Sequence, residues 1–414
     1  MKILLIGNGG REHAIAWKLV QSPVVEKIYV SLGNAGTELL EKCENITLSN
    51  HQDLLQFALK NKIDLTVVGP EQPLVEGIVD LFKKHNLSIF GPSANGAILE
   101  GSKIFAKDFM KRYRVATATY ETFDKASEAI AYVQKNNKYP IVIKADGLAA
   151  GKGVEICKNL EQAKECIQLF VTDNIFKNRD PSIVIEEYLT GVEASIICVT
   201  DGKTILPLIS SQDHKTIFEN NQGPNTGGMG AVCPNQHVNK QVMDDFIKNI
   251  MKPTMNGIIE EHMDFHGFVF FGVMITKSGC KCLEYNVRMG DPECQSIIPL
   301  MDFDLVKMIQ ATIDNKLDTF QLKWKPDVCI NVVLVSNGYP GKYNYGFPIT
   351  ITHKPLIFFS GSKKRNNEII TSGGRILSVV AFGKDIKAAI TNVYKDVQDV
   401  EFQGMKYRKD IGNV

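Results

Sequence analysis

The sequence predicts an α/β chain of several domains, opening on a parallel sheet and closing on a small mixed α/β unit. Three observations predict it. Over the first hundred residues short apolar strands alternate with amphipathic helices, the pattern of a parallel sheet with crossover helices. From about residue 103 to 324 a strand, glycine loop and strand are followed by a hairpin, in which 268–276 and 280–289 flank the turn Lys277-Ser278-Gly279. The last ninety residues carry strands at 328–335, 357–359 and 375–382. A length of 414 residues fits two to four domains at about 150 residues each, and the expected divisions fall after 102 and 324.

Composition narrows the function. Lys plus Arg number 47 and Asp plus Glu 46, so no sequence-wide field exists for nucleic acid or an anionic membrane. The opening apolar run at 3–6 is too short for a signal-peptide core or a bilayer span, and reads as a buried first strand. Nine cysteines are scattered without a C-x-x-C pair. They read as reduced thiols of a cytoplasmic enzyme.

Strands are expected at 3–6, 28–30, 65–68 and 88–90, with helices near 12–20, 54–60 and 74–84. Loops follow the strands at Gly7-Asn8-Gly9-Gly10, Gly69-Pro70-Glu71 and Gly91-Pro92-Ser93. Ligands of open parallel sheets bind beyond the carboxyl ends of the strands. In the first loop, Gly9, Gly10 and the following helix can offer amides to a phosphate. Arg11 adds a charged donor. The dinucleotide fingerprint fails, because Glu12 stands at its third glycine and no acid ends the second strand. A plain strand-to-helix turn fits the loop by itself equally well.

The second glycine loop follows a strand ending in Lys144. In Asp146-Gly147-Leu148-Ala149-Ala150-Gly151-Lys152-Gly153 the glycine spacing is one short of a Walker loop, and Gly153 replaces its hydroxyl. Small residues still allow close approach to phosphates. Strand–loop–strand describes a flap over a triphosphate. At 183–187 a buried strand ends in Glu186 and Glu187. It is either a solvated strand end or an edge offering backbone groups to adenine, with Glu193 placed for ribose hydroxyls.

In Leu283-Glu284-Tyr285-Asn286-Val287-Arg288 a period of two puts Glu284, Asn286 and Arg288 on one face. A carboxylate and an amide oxygen are hard ligands suited to Mg²⁺, and Arg288 can neutralise a phosphoryl group. An amphipathic edge strand explains the same alternation. The glycine-dense 223–230, after Ser211-Gln212-Asp213-His214-Lys215, reads as a loop wrapping a polar ligand.

Together these motifs resemble one family closely: the glycinamide ribonucleotide synthetases of the ATP-grasp superfamily. GNGGREHA at 7–14, GPNTGGMGA at 223–231 and RMGDPE at 288–293 carry the resemblance most specifically. GNAGT at 33–37, LEGSKIFAKDFM at 99–110 and TSGGR at 371–375 extend it over nearly the whole chain. It implies an ATP-grasp domain at 103–324 with a lid at 122–192, a Rossmann-like domain before it and a C-terminal domain from 325.

The activity implied joins 5-phosphoribosylamine to glycine through glycyl phosphate at the expense of ATP, with Mg²⁺ or Mn²⁺, in a cytoplasmic monomer. Residue by residue, the resemblance implies that Lys103, Lys144 and the flap residues Gly147, Gly151, Lys152 and Gly153 meet the ATP phosphates. Glu186, Glu187 and Leu189 line the adenine pocket, and Glu193 meets the ribose. Glu284 and Asn286 hold the metal. Gly9, Gly10, Arg11 and Glu71 meet phosphoribosylamine. Asp213, Arg288, Gly290 and Asp291 shape the region for glycine and the amine. Asp213 is the expected acceptor of the amine proton. Many superfamily members carry a further metal-binding acid on the preceding strand, but 268–276 contains none. Another ATP-grasp ligase or carboxylase is the competing reading. A non-catalytic nucleotide-binding module would have no need of Lys144, Glu284 and Asn286 together.

Overall fold

A computed structural model of the protein describes residues 1–149, 153–176 and 181–413. Five parallel strands open the chain, in spatial order Cys43–Ile46, Lys27–Leu32, Lys2–Gly7, Leu65–Val68 and Ile89–Pro92. The sheet does not stop there. The long strand Phe265–Thr276 pairs antiparallel with Ile89–Pro92 through Phe265–Pro92 and His266–Gly91. Val192–Thr200 and Gly279–Asn286 then pair along it, so one sheet crosses the expected boundary at 102. Alternate residues of Phe265–Thr276 enter different cores. Val269, Phe271 and Val273 pack with Phe109 and Phe246, whereas Phe268 and Phe270 pack with Phe90 and Met289. Burial on both faces explains why this strand is almost continuously apolar.

The helix expected at 74–84 is two helices, Glu71–Val75 and Ile78–Lys84. Gly77 separates them at φ +83, a conformation glycine adopts without strain. The apolar period ran across the break because Leu74, Ile78, Val79 and Phe82 enter one core.

A second, four-stranded sheet has the order Tyr120–Phe123, Ile183–Glu187, Ile141–Ala145, Val154–Cys157. Strand–loop–strand at the glycine flap is therefore an antiparallel pair. The reading of 183–187 as an edge is corrected: the polar strand Tyr120–Phe123 covers its outer side. Helices Ala126–Asn136 and Leu160–Ile167 bury Ala129, Val133 and Ala163 in the same core as Ile143 and Ile185.

The third sheet runs Gln212–Asp213, Gly230–Cys233, Val328–Ser336, Arg375–Gly383, Leu356–Phe359. Its first two strands come from before residue 325. The glycine-dense stretch read as a wrapping loop is thus partly strand: Gln222–Asn225 pairs with Thr216–Phe218 in a hairpin, and Gly230–Cys233 is buried in the sheet. Among the described residues no helix is long and apolar enough to cross a membrane.

Candidate active site

A cavity of about 1260 Å³ lies between the four-stranded sheet, the helix Lys103–Arg112 and the strand Gly279–Asn286. Lys103, Lys144, Gly147, Gly153, Glu186, Glu187, Leu189 and Glu193 line it on one side. Asp213, Glu284, Asn286, Arg288, Gly290 and Asp291 line it on the other, together with Arg11 and Glu71. Gly151 and Lys152 lie outside the described residues. Gly9 lines a separate, smaller cleft, and Gly10 packs beside Gln295 and Ser360.

Glu186 is the electrostatic hub of the lid side. Its carboxylate meets Lys144 Nζ at 2.9 Å and Lys107 Nζ at 3.0 Å, and all three residues are buried. Lys144 also donates to the carbonyl of Leu283 at 3.0 Å, and Lys107 to Thr117 Oγ1 at 2.7 Å. Burial lowers the Lys107 ammonium from its ordinary range, and Glu186 only partly offsets it. The sequence reading missed Lys107, although it stands four residues after Lys103 on one helix face. Lys103 reaches the flap, donating to the carbonyl of Gly147 at 2.7 Å. Glu187 is exposed, and its side chain accepts the Thr119 amide at 2.7 Å.

A β-bulge aims the metal-type residues. Gly272 pairs with Glu284 but Val273 with Cys282, so Leu283 is an extra residue. Before it Cys280 and Cys282 face the core, and after it Tyr285 does. Unbroken alternation from Cys280 would have turned Glu284 and Asn286 into that core. Burial opposes ionisation of Glu284. Lys215, Lys144, Lys103 and Arg288 outweigh it and hold the carboxyl below its ordinary range. The expected strand to 289 ends at Asn286, and Arg288 lies beyond it. Arg288 Nη2 donates to Asn286 Oδ1 at 3.0 Å and to Glu100 Oε1 at 2.8 Å, while Nε meets Glu71 Oε2 at 3.0 Å. Glu100 Oε2 accepts the Val287 amide at 2.7 Å. Burial pushes the Glu100 carboxyl up to about 7 despite Arg288. Glu71 goes the other way, because Arg288 and Arg11 outweigh its burial. Glu100 was also missed; its only signal was a lone acid in an apolar helix.

Asp213 sits on the short strand Gln212–Asp213 with Oδ1 buried and without a partner among the described residues. Burial and then Glu293 push its carboxyl well above the usual range, against Lys215 and Arg375. Glu293 itself accepts Ser195 Oγ at 2.8 Å. Glu193 pairs with Lys215 at 2.8 Å, which raises that ammonium despite burial. Burial, then Arg408, hold His214 at about 4, so the ring is neutral near pH 7. The hairpin beyond it is tied to the chain's end. Buried Arg408 donates to the Thr216 carbonyl at 3.2 Å and to Thr216 Oγ1 at 3.0 Å, and pairs with Asp410 at 2.7 Å.

The first glycine loop is built as a joint. Glu12 accepts the Gly9 amide and Arg11 Nε, both at 2.6 Å. Arg11 Nη1 reaches the carbonyl of Met289 at 3.1 Å. Arg11 is buried, so its guanidinium binds protein rather than standing free beside the loop's amides. His13 Nδ1 accepts the Phe359 amide at 2.8 Å, and burial holds the ring at about 3, which leaves that nitrogen free to accept. Asn34 Nδ2 donates to the carbonyls of Asn8 at 2.9 Å and Phe359 at 2.7 Å. The motifs at 7–14 and 33–37 thus lock the first sheet onto the third.

Comparison with known proteins follows this architecture. Residues 1–100, 101–294 and 329–414 match the family models of the phosphoribosylglycinamide synthetase N domain, ATP-grasp (A) domain and C domain. Over its whole length the chain is 52% identical to the phosphoribosylamine–glycine ligase of Clostridium acetobutylicum, covering 99% of that protein. It is 46% identical to the one from Fusobacterium nucleatum, again over 100% of this chain and 99% of the relative. The crystal structure of the Thermotoga maritima phosphoribosylamine–glycine ligase superposes with a TM-score of 0.88 at 31% identity, covering 99% of this chain and 100% of that one. A biotin carboxylase–β-γ-ATP complex from Campylobacter jejuni shares the fold at 14% identity, with a TM-score of 0.75 over 99% of this chain and 94% of that one.

Proposed function

The chain belongs to the phosphoribosylglycinamide synthetase family, and on that premise we propose how it acts as an ADP-forming carbon–nitrogen ligase of purine biosynthesis. ATP phosphorylates the carboxylate of glycine, and the amine of 5-phosphoribosylamine attacks the resulting glycyl phosphate. Glycinamide ribonucleotide, ADP and phosphate leave. The observation that carries the reading is one cavity lined by the ammonium groups of Lys103 and Lys144 and by Glu284, Asn286 and Arg288.

Lys103 and Lys144 neutralise the ATP phosphates, and Glu186, itself held by Lys107, keeps Lys144 in place. Leu189 and the backbone near Glu187 line the adenine side, and Glu193 with Lys215 stands by the ribose. Arg288 neutralises the transferring phosphoryl group, kept in line by Glu71 and Glu100. Positioning and charge neutralisation carry such a transfer, with no covalent enzyme intermediate required.

The residues present fit a magnesium-type ion. Among the described residues no group of three His, Cys, Asp or Glu side chains could hold a metal. An ionised Glu284 and the amide oxygen of Asn286 suit a hard cation whose other ligands are phosphate oxygens and water. When bound, Mg²⁺ or Mn²⁺ supplies charge neutralisation at the phosphates. We assign to Asp213, whose Oδ1 is buried without a partner among the described residues, the role of receiving the amine proton. The scattered cysteines, all free thiols, fit a cytoplasmic enzyme, and the family resemblance fits a monomer.

The test is ADP release from purified protein given ATP, Mg²⁺, glycine and freshly made phosphoribosylamine, with each omitted in turn. Release that needs both glycine and the amine, with equimolar glycinamide ribonucleotide, is the expected result. Turnover with a different carboxylate or amine would move the chain to another ATP-grasp reaction.

A further inference from the structure

The larger cavity also reaches residues near the other end of the chain: Arg408 and Asp410 line it beside Thr216, Asn220 and Asn221. The side chain of Arg408 is only 2% exposed. We infer that Arg408, with Asp410, is a positioning residue for the nucleotide: it grips the hairpin 216–225 at Thr216 and so fixes the neighbouring Lys215 against Glu193, the acid at the ribose. The inference rests on the reading of the nucleotide site given above.

The hairpin has little to hold it in place by itself. Its strands, Thr216–Phe218 and Gln222–Asn225, pair with each other and with no third strand among the described residues. Phe218 and all of Gln222–Asn225 are exposed, while Ile217 packs part-buried against the third core. A two-stranded hairpin that buries so little is marginal in water. Residues 408–410 supply the hold. Arg408 Nη1 donates to both oxygens of Thr216, and Nη2 donates to Asn221 Oδ1 at 3.3 Å. Asp410 Oδ2 accepts the Asn220 amide at 2.8 Å, and Glu219 Oε1 accepts the Lys409 amide at 3.3 Å.

The gripping segment is itself anchored. Ile411 is buried in the third core. Tyr394, on the helix Ile386–Val397, accepts the Ile411 amide at 2.9 Å and donates to the Arg408 carbonyl at 2.9 Å through one hydroxyl. Asp410 completes the arrangement by accepting Arg408 Nε at 2.8 Å and Nη2 at 2.7 Å. A guanidinium has five N–H groups. Those of Arg408 meet two acceptors on Thr216, two on Asp410 and one on Asn221. It has none left to offer a ligand, so it acts through the hairpin rather than on the nucleotide.

Lys215 transmits the grip. It directly precedes Thr216, and its carbonyl accepts the Thr226 amide at 2.8 Å and Thr226 Oγ1 at 2.7 Å, so both roots of the hairpin meet there. On its other side the His214 amide donates to the Gly230 carbonyl at 3.0 Å, and the Met229 amide to the His214 carbonyl at 2.9 Å. Those bonds tie residue 214 to the third sheet. From this frame Lys215 Nζ reaches Glu193 Oε2 at 2.8 Å, and Lys215 leads the cations that keep Glu284 ionised. One flexible lysine stem thus serves the acid at the ribose and the acid at the metal. Such a stem holds a single direction at least cost in entropy when its backbone is fixed on both sides.

The test compares two nucleotides. ATP and 2′,3′-dideoxy-ATP, each with Mg²⁺, are titrated by calorimetry into wild type, Glu193→Ala, Arg408→Lys and Thr216→Val. The lysine variant keeps the charge and loses the fork. The valine variant removes one bond at a half-buried position, and it reads the grip if Arg408→Lys does not fold. Wild type should prefer ATP by on the order of tenfold, and Glu193→Ala should erase the preference. Arg408→Lys should shrink it to within about twofold, with Thr216→Val moving in the same direction. A preference kept near wild type by every folded variant of the grip, while Glu193→Ala erases it, overturns the inference alone. Equal weakening of both nucleotides, with their ratio kept, would make Arg408 merely structural and overturns it too. A wild type that does not discriminate, or a preference untouched by Glu193→Ala, overturns the ribose assignment and this inference with it.

Discussion

Replacing Glu186 with glutamine removes the single negative charge between two buried ammonium groups. The carboxylate meets Lys144 at 2.9 Å and Lys107 at 3.0 Å, and the three side chains are 2%, 7% and 3% exposed respectively. Breaking a buried ion pair by removing one partner costs roughly 3–5 kcal/mol, because the remaining charge is left uncompensated. Glutamine keeps the shape and can still accept one bond, so about 3 kcal/mol is the expected figure. The position of the cluster says where the loss appears. Glu186 and Lys144 belong to the four-stranded sheet, whereas Lys107 belongs to the helix Lys103–Arg112 and the carbonyl of Leu283 to the main sheet. The cluster therefore stitches the lid to the body. Amide exchange should accelerate at 141–145 and 183–187 by on the order of 100-fold, with little change in Lys2–Gly7. Because Lys144 loses its anchor, ATP affinity by calorimetry should fall as well. The fluorescence of Trp17 and Trp324 reports on the body and should move less. Exchange in the two lid strands within about twofold of wild type, corresponding to less than ~0.5 kcal/mol, would refute the reasoning.

Glu284→Gln and Asn286→Ala should each lower ADP formation by about 100-fold or more, as expected when several kcal/mol of charge neutralisation at the phosphates is lost; wild-type turnover with an unchanged metal dependence in both variants would contradict the assignment. Burial raises the Glu100 carboxyl from its ordinary 4.5 to about 7, so its contribution to stability is complete below pH 4.5 and is lost as pH rises through 7. Glu100→Gln, uncharged throughout, should fall furthest below wild type below pH 4.5, and the gap in urea unfolding should narrow by roughly 3 kcal/mol by pH 8. Asp213 keeps its proton to an unusually high pH, so wild-type turnover should rise with pH as that carboxyl ionises. Asp213→Asn should be slow with a flat profile, and unchanged turnover across pH would remove Asp213 from proton transfer.

The sequence displayed local order well and partnerships poorly. Strands such as Leu65–Val68 and the antiparallel flap pair were legible because their apolar runs and flanking glycines are local signals. Glu284, Asn286 and Arg288 were legible because they alternate with Leu283, Tyr285 and Val287. The bulge at Leu283 was not, since an extra residue appears only against the partner strand. Tyr120–Phe123 was invisible for a related reason: its half-polar sequence gains meaning only from the strand it covers. Glu100 and Lys107 carry no motif of their own, and their roles come from Arg288 and Glu186, far away in the chain.

The same distinction applies to the first glycine loop, whose partners cannot be read from its own residues. Gly7-Asn8-Gly9-Gly10-Arg11 has the local chemistry of a phosphate loop, and Arg11 is the obvious cation. The fold spends Arg11 on Glu12 and Met289, His13 on Phe359 and Asn34 on both Asn8 and Phe359. Those bonds make the loop a rigid joint between sheets contributed by opposite ends of the chain. A joint of this kind sets Asn8 and Gly9 beside the turns at 360–363 and 372–375, in one cleft with exposed Lys363 and with Arg375. The cation adjacent in sequence is taken up inside the joint, and the cations that line the neighbouring cleft, Lys363 and Arg375, come from the other end of the chain.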